Sequence, residues 1–302
     1  EKMRLIDLAT QLSDDTQQLL HFFQLVHIEH KGYKRTYGLK RLWQLARKHI
    51  LFRPIIGGYL ESPDAKLRRA VLSTAPHIKT DGRSFEPDLL PFLKKKEKRE
   101  RTLALKALSA IGVYTKAGIK VMIQLLQQKK PQLHALYTLR HTTFAKDLPD
   151  SLQKALVQLT KTQETLTYYW ALHAVAKRWK TKLAFLVPHI KDRLALLPSQ
   201  LLKRYAIETL AMIMPAPEKE IDFFLQLHQR GTASIRNTIL KIFQKMDKHI
   251  APAMPIFLLD LLDPNSYIKH SALRALAKMG ASASSALPLV RSLLRSTNHY
   301  TR

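Results

Sequence analysis

Several groups of side chains in this sequence have types and spacing that could do chemistry. His27 and His30, with Glu29 between them, offer two metal ligands at i and i+3, too few for a zinc site, and Gly32 then signals a loop. His134, Tyr137 and His141 share a helical face, yet no partnered acid or oxyanion donor accompanies them. In Tyr168-Tyr169-Trp170, followed by His173, Lys177, Arg178 and Trp179, rings stand beside cations. Such a pattern could stack a nucleobase or meet a phosphate, with Tyr169 and Trp170 as the stacking candidates. The plainer alternative is that large aromatics in a helical array fill its core, and Trp43 is expected to do so. The densest group is Lys94-Lys95-Lys96-Glu97-Lys98-Arg99-Glu100-Arg101, in which six of eight residues are basic.

These groups belong to a chain of 302 residues with 50 Lys plus Arg against 23 Asp plus Glu, a formal net charge of +27. A hydrophobic content of 46% supports a packed core rather than a disordered basic tail. Cysteine is absent, which excludes a disulfide framework, a thiol nucleophile and cysteine-ligated zinc. No uncharged apolar run approaches the roughly 20 residues that span a bilayer. The best stretch, Ile250 to Leu259, contains two prolines, so a soluble, cytoplasmic chain is expected. There is no Gly-rich phosphate loop, no His-Glu-x-x-His and no nucleophile elbow. No catalytic residue, metal or cofactor is assigned, and the chain reads as a non-enzyme.

What positions the charges is a repeat. Ser62-Pro63-Asp64-Ala65-Lys66-Leu67-Arg68-Arg69-Ala70 and Asp263-Pro264-Asn265-Ser266-Tyr267-Ile268-Lys269-His270-Ser271-Ala272 share one order of parts: a loop, a basic first turn, then an apolar helix face. The small or neutral residue after the basic turn recurs at Gly38, Ala70, Ala104, Ala135, Ala171, Ala206, Thr238 and Ala272, steps of 31 to 36 residues. Independently, Pro54, Pro91, Pro188, Pro255 and Pro288 each open an apolar run, at separations of 37, 97, 67 and 33. Proline suits the first turn of a helix because its missing N–H would have no partner there. Two markers keeping one beat define a pair of helices, A with the basic start and B with the proline start. Ser13-Asp14-Asp15 can cap a helix of a further unit near the N-terminus, and Gly280 ends the A helix before it. His49 and His249, eleven residues past their markers, are expected near the C-terminal ends of A helices, where a positive charge is favoured.

The loop Asp-Pro, the basic first turn, the Ala/Leu-rich face, the terminal Gly and the Leu-Pro-apolar-apolar opening resemble HEAT repeats, particularly the short bacterial HEAT-like class. The match is clearest in Ser62 to Leu93 and Asp263 to Leu294 and degenerates around Ala135 and Ala171. The resemblance implies an all-α, right-handed α-solenoid of about nine hairpins that acts as a binding scaffold. It covers 1–302 as one array, with an N-terminal unit at 1–30 and repeat units over 31–302. The final Asn298-His299-Tyr300-Thr301-Arg302 matches Asn265-Ser266-Tyr267-Ile268-Lys269 at an offset of 33, so the chain is expected to be cut at the start of another repeat. HEAT-like alkylpurine DNA glycosylases share this length and basicity and use tryptophans with an aspartate. Here Trp170 is followed one turn later by Ala174, Trp43 by Arg47 and Trp179 by Leu183, so that aspartate is missing.

In HEAT-like units the basic residue of helix A commonly faces a loop aspartate, but only Asp64 and Asp263 clearly occupy that place. The expected outcome is a cationic stripe with too few internal counter-ions, built from Lys34, Arg35, Lys66, Arg68, Arg69, Lys94, Lys95, Lys96, Lys98, Arg99, Arg101, Lys203, Arg204, Arg236 and Lys269. Adjacent helices would place these about 10 Å apart. Nucleic acid held through its phosphate backbone is the leading partner, and an acidic protein is the alternative. An anionic membrane surface would be drawn to the same charges, and solvated lysines with no partner are the bland reading.

Overall fold

A computed structural model describes residues 33–48, 53–95, 97–142, 144 and 147–295. The expected unit at 1–30, His49, Lys96 and the repeat start at 298–302 lie outside them. The helices in chain order are α1 Tyr33–Lys48, α2 Arg53–Glu61, α3 Ala65–Thr74, α4 Glu86–Leu89, α5 Lys98–Ile111, α6 Lys116–Leu126, α7 His134–Thr138 and α8 Asp150–Thr162. They continue as α9 Leu166–Trp179, α10 Val187–Leu194, α11 Gln200–Ile213, α12 Ile221–Gln229, α13 Ala233–Phe243, α14 Met254–Leu261, α15 Ser266–Met279 and α16 Leu287–Leu293. Odd-numbered helices are the A helices and even-numbered ones the B helices; among the described residues there is no strand.

All eight repeat markers fall inside odd-numbered helices, and every one except Ala70 is buried. Small residues there let neighbouring A helices approach. Pro54, Pro188, Pro255 and Pro288 stand second in α2, α10, α14 and α16. Pro91 departs from the expectation, because it opens a 3-10 segment, Leu90–Lys94, after the short α4. His249 also departs: α13 is already capped at Gln244, and the histidine falls in the 3-10 segment Asp247–Ala253.

The helix starts are chemically fixed. Asp64, Thr165, Ser199 and Asn265 precede α3, α9, α11 and α15, and each side chain accepts a bond from a first-turn N–H that would otherwise lack a partner. Counting from the residue before each helix, α5, α9 and α15 all end fifteen positions later on a positive φ, at Gly112 (95°), Lys180 (45°) and Gly280 (57°). Lys180 thus holds a backbone shape that costs a side-chain-bearing residue energy.

The described residues fall into two compact units, 1–143 and 144–302, divided inside the degenerate repeat around Ala135. In the first, α1, α3, α5 and α7 pack side by side, with α2 and α6 against them. Trp43 is core, as expected: its Nε1 donates to the Val71 carbonyl at 3.2 Å and its ring meets Phe85 edge-on at 4.9 Å. The buried carboxylate of Glu86 accepts the backbone N–H groups of Tyr114 and Thr115 and the Thr115 hydroxyl, placing negative charge at the positive end of α6. A Cβ on Gly118 would collide with that carboxylate, which explains a glycine in the first turn of α6. In the second unit α9, α11, α13 and α15 pack side by side, backed by α10, α12 and α14. Phe224, Phe243 and Phe257 form an edge-to-face ladder through this core.

Candidate anion-binding surface

The basic first turns sort into two classes when aligned on the residue before each A helix. Four positions after it stand Arg68, Arg101, Tyr169, Lys203, Arg236 and Lys269. These six turn inward and are half-buried except for the buried Tyr169; at the same position α1 has the exposed Thr36 and α7 the half-buried Tyr137. Arg68 donates through Nη1 to the carbonyl oxygens of Ser62 and Pro63, at 2.7 and 3.0 Å. Arg101 repeats the contact, donating to the Lys95 carbonyl at 2.7 Å, again six residues back. Each guanidinium therefore closes the loop that leads into its own helix.

Two of these six residues meet acids, of which the sequence placed Asp263 but not Glu100 or Asp260. Arg68 pairs with Glu100 of the next A helix (Nη2 to Oε1 2.7 Å, Nε to Oε1 2.9 Å), and Lys95 Nζ lies 3.5 Å from the other Glu100 oxygen. Arg236 pairs with Asp260, and with Asp263 at 2.6 Å. Burial works against the Arg236 charge, but hydrogen bonds to Asp260 and Asp263 and their charges outweigh it and raise its pKa above the ordinary arginine value. Glu100 and Asp260 are each only 1% exposed. Asp260 also receives His228, whose Nε2 lies 2.8 Å from its second oxygen. Asp64 is not the counter-ion of Arg68; its side chain accepts the Lys66 N–H as a helix cap. The expected stripe is therefore corrected at Arg68, Arg69, Lys95, Arg101, Arg204 and Arg236: Arg69 lies 3.6 Å from Glu97, and Arg204 lies 3.9 Å from Glu208 and faces the Tyr205 ring.

The second class turns outward. Lys66, Lys94, Lys98 and Arg99 are exposed at the α2–α3 and α4–α5 junctions, joined by Lys129 and Lys130 at the α6–α7 junction. Lys203 and Lys269 are half-buried. Lys34 and Arg35 lie in the first turn of α1, where their side chains are outside the description.

Of the stacking candidates, Tyr169 is ruled out by burial: its ring is fully enclosed and sits edge-on to Tyr168 at 5.2 Å, and burial raises its pKa to about 12. Trp170 is 38% exposed, and Trp179 is buried against Phe144. His173 packs against Tyr205, with Nε2 3.7 Å from Glu208. Burial first, then Lys177, Lys245 and Arg204, hold its imidazole down to about 4, so it is neutral near pH 7. His134 is exposed and His141 half-buried. Among the described residues no three His, Asp or Glu side chains gather to hold a metal ion, and no helix is long and apolar enough to cross a membrane.

No family model matches the chain, and no curated protein matches it. Among solved structures, importin beta crystallised in a polyethylene glycol condition is similar, with 14% identity, a TM-score of 0.58 and coverage of 86% of this chain and 41% of that one. The chain thus spans less than half the length of that neighbour, whose fold is a HEAT-repeat α-solenoid. This chain has a HEAT-like repeat fold. In HEAT-like terms its sixteen described helices alternate between A and B along the chain, with α4 and α7 the shortest.

Proposed function

We propose that this HEAT-like chain is a non-enzymatic binding scaffold that holds nucleic acid by its phosphates along the junctions of residues 1–143. The observation that carries the reading is the outward class of cations. After Glu100 and Glu97 have taken Arg68, Arg69 and Lys95, six junction cations still face solvent: Lys66, Lys94, Lys98, Arg99, Lys129 and Lys130. The exposed acids at the same junctions are Glu61, Asp64 and Glu97, and Asp64 is occupied in capping α3. Exposed cations at successive junctions suit a repeating anionic backbone, which they read by charge and not by base identity.

The test is duplex DNA and RNA binding across salt. Replacing Lys66, Lys94, Lys98 and Arg99 by Gln removes four outward charges without touching a buried pair. Affinity at about 0.1 M salt should fall by at least tenfold, and the slope of log affinity against log salt should flatten by about 3 to 4 on duplex DNA. If affinity and slope both stay unchanged, the junction cations are only solvated. An acidic protein is the second reading, favoured by the different character of the junctions in residues 144–302.

A further inference from the structure

Every large apolar side chain that is strongly exposed among the described residues lies in the second unit, and four of them occupy two equivalent pairs of positions. Leu196 and Leu262 stand three residues before the cap residues of α11 and α15, and Leu201 and Tyr267 stand two residues after them. Their exposures are 64%, 64%, 40% and 75%, respectively. Loops are ordinarily polar where they meet water, so a paired recurrence of leucine and tyrosine on one loop edge marks an interaction surface.

The charges around this edge specify the occupant. Asp260 and Asp263, the carboxylates of the α14–α15 junction, point onto Arg236. Arg230 is exposed in the intervening α12–α13 junction, whose other residues, Gly231 and Thr232, are small, as are Ala233 and Ser234 that open α13. The unit carries 23 Lys plus Arg against 11 Asp plus Glu. A second copy of a +27 chain would bring like charge against like, and a phosphate backbone gains nothing from exposed leucines. We infer that the edge formed by Leu196, Leu201, Arg230, Leu262 and Tyr267 docks an acidic protein segment with two apolar anchors. Because α11 packs on α13 and α13 on α15, the two apolar pairs lie two helix spacings apart, about 16 to 20 Å. An extended chain advances about 3.3 to 3.6 Å per residue, so the anchors are about five or six residues apart, with carboxylates between them over Arg230.

The experiment uses fluorescein-labelled synthetic peptides carrying two leucines separated by roughly three to nine Asp and Glu residues, with matched controls in which both leucines are serine. This docking site does not depend on the phosphate reading, and the double variants Leu196→Ser/Leu262→Ser and Lys94→Gln/Arg99→Gln separate the two. The leucine peptide with a spacer of about four or five residues should bind the full chain at least tenfold more tightly than its serine control. Leu196→Ser/Leu262→Ser should erase that difference, with the circular-dichroism spectrum and melting temperature unchanged, because the removed side chains are exposed. Lys94→Gln/Arg99→Gln should preserve it. Equal binding of leucine and serine peptides at every spacing overturns the inference, as does undiminished leucine preference in Leu196→Ser/Leu262→Ser. Light scattering showing a dimer that this variant dissolves also overturns it, in favour of a second copy as the occupant.

Discussion

The junctions between repeats carry one architecture and two surface chemistries. Three residues before and two after the cap residue, the first unit places Glu61 and Lys66, then Lys94 and Arg99; the second places Leu196 and Leu201, then Leu262 and Tyr267. Behind them one position stands apart: three residues past the cap Glu100 is buried, where the equivalent Leu136, Tyr168, Leu202, Ile235 and Ile268 are buried and apolar. A carboxylate inside must be matched, so Arg68 is drawn inward and the remaining cations are left outside. Where the interior position is apolar, no such demand arises, and Arg236 finds its acids in the following junction. A repeat thus constrains backbone geometry and small-residue contacts, while each junction distributes its charge separately.

Substitutions at equivalent positions put this contrast at risk. The largest effect belongs to Glu100→Gln, which leaves Arg68 and Lys95 facing a neutral group in a buried site. Stability should fall by about 3 to 5 kcal/mol, read from the midpoint of urea unfolding. A loss below about 1 kcal/mol would mean that the inner acid does not organise the first unit.

Next come the helix ends. Gly112→Ala forces a Cβ onto a φ of 95° and into the Tyr114 ring, so a loss of about 1 to 3 kcal/mol is expected. His173 sharpens the second unit's side of the comparison. Its imidazole titrates at about 4 in the folded chain but near 6.5 when unfolded, so the unfolded state takes up the proton first on acidification. Stability is complete above about pH 6.5 and lost as pH falls towards 4, with a slope no steeper than about 1.4 kcal/mol per pH unit from this group. Denaturation midpoints of the wild type and His173→Gln, compared at several pH values, should converge on acidification; parallel curves would remove His173 as the cause. The smallest effect is a gain. Lys180→Gly installs at the end of α9 the residue that α5 and α15 already have, and should add about 1 kcal/mol by relieving a positive φ.

Much of the fold was legible. The small markers at Ala104 and Ala272 and the prolines at 188, 255 and 288 are set by packing distance and by a missing N–H, both local requirements that a single residue type meets. The candidate surface was legible only in part. Glu100 was hidden in a run of six cations, although alignment on helix starts would have shown an acid in a column that is otherwise apolar from α3 onward. Tyr169 looked like half of a stacking pair with Trp170, yet neighbours on a helix differ by 100° in direction, and one ring turned inward while the other turned out. Nothing in the sequence singles out Leu196 and Leu262, and only their exposure distinguishes them.

By itself the sequence determined an all-helical array with a period of 31 to 36 residues, its first-turn cations and its excess of positive charge. The tertiary structure decided which of those cations are spent. Whether an arginine faces a phosphate or a buried carboxylate depends on a partner some 24 to 32 residues away, as with Asp260 for Arg236 and Glu100 for Arg68. Burial sets the strength of that pairing, and burial is a property of packed neighbours that no single stretch of chain contains.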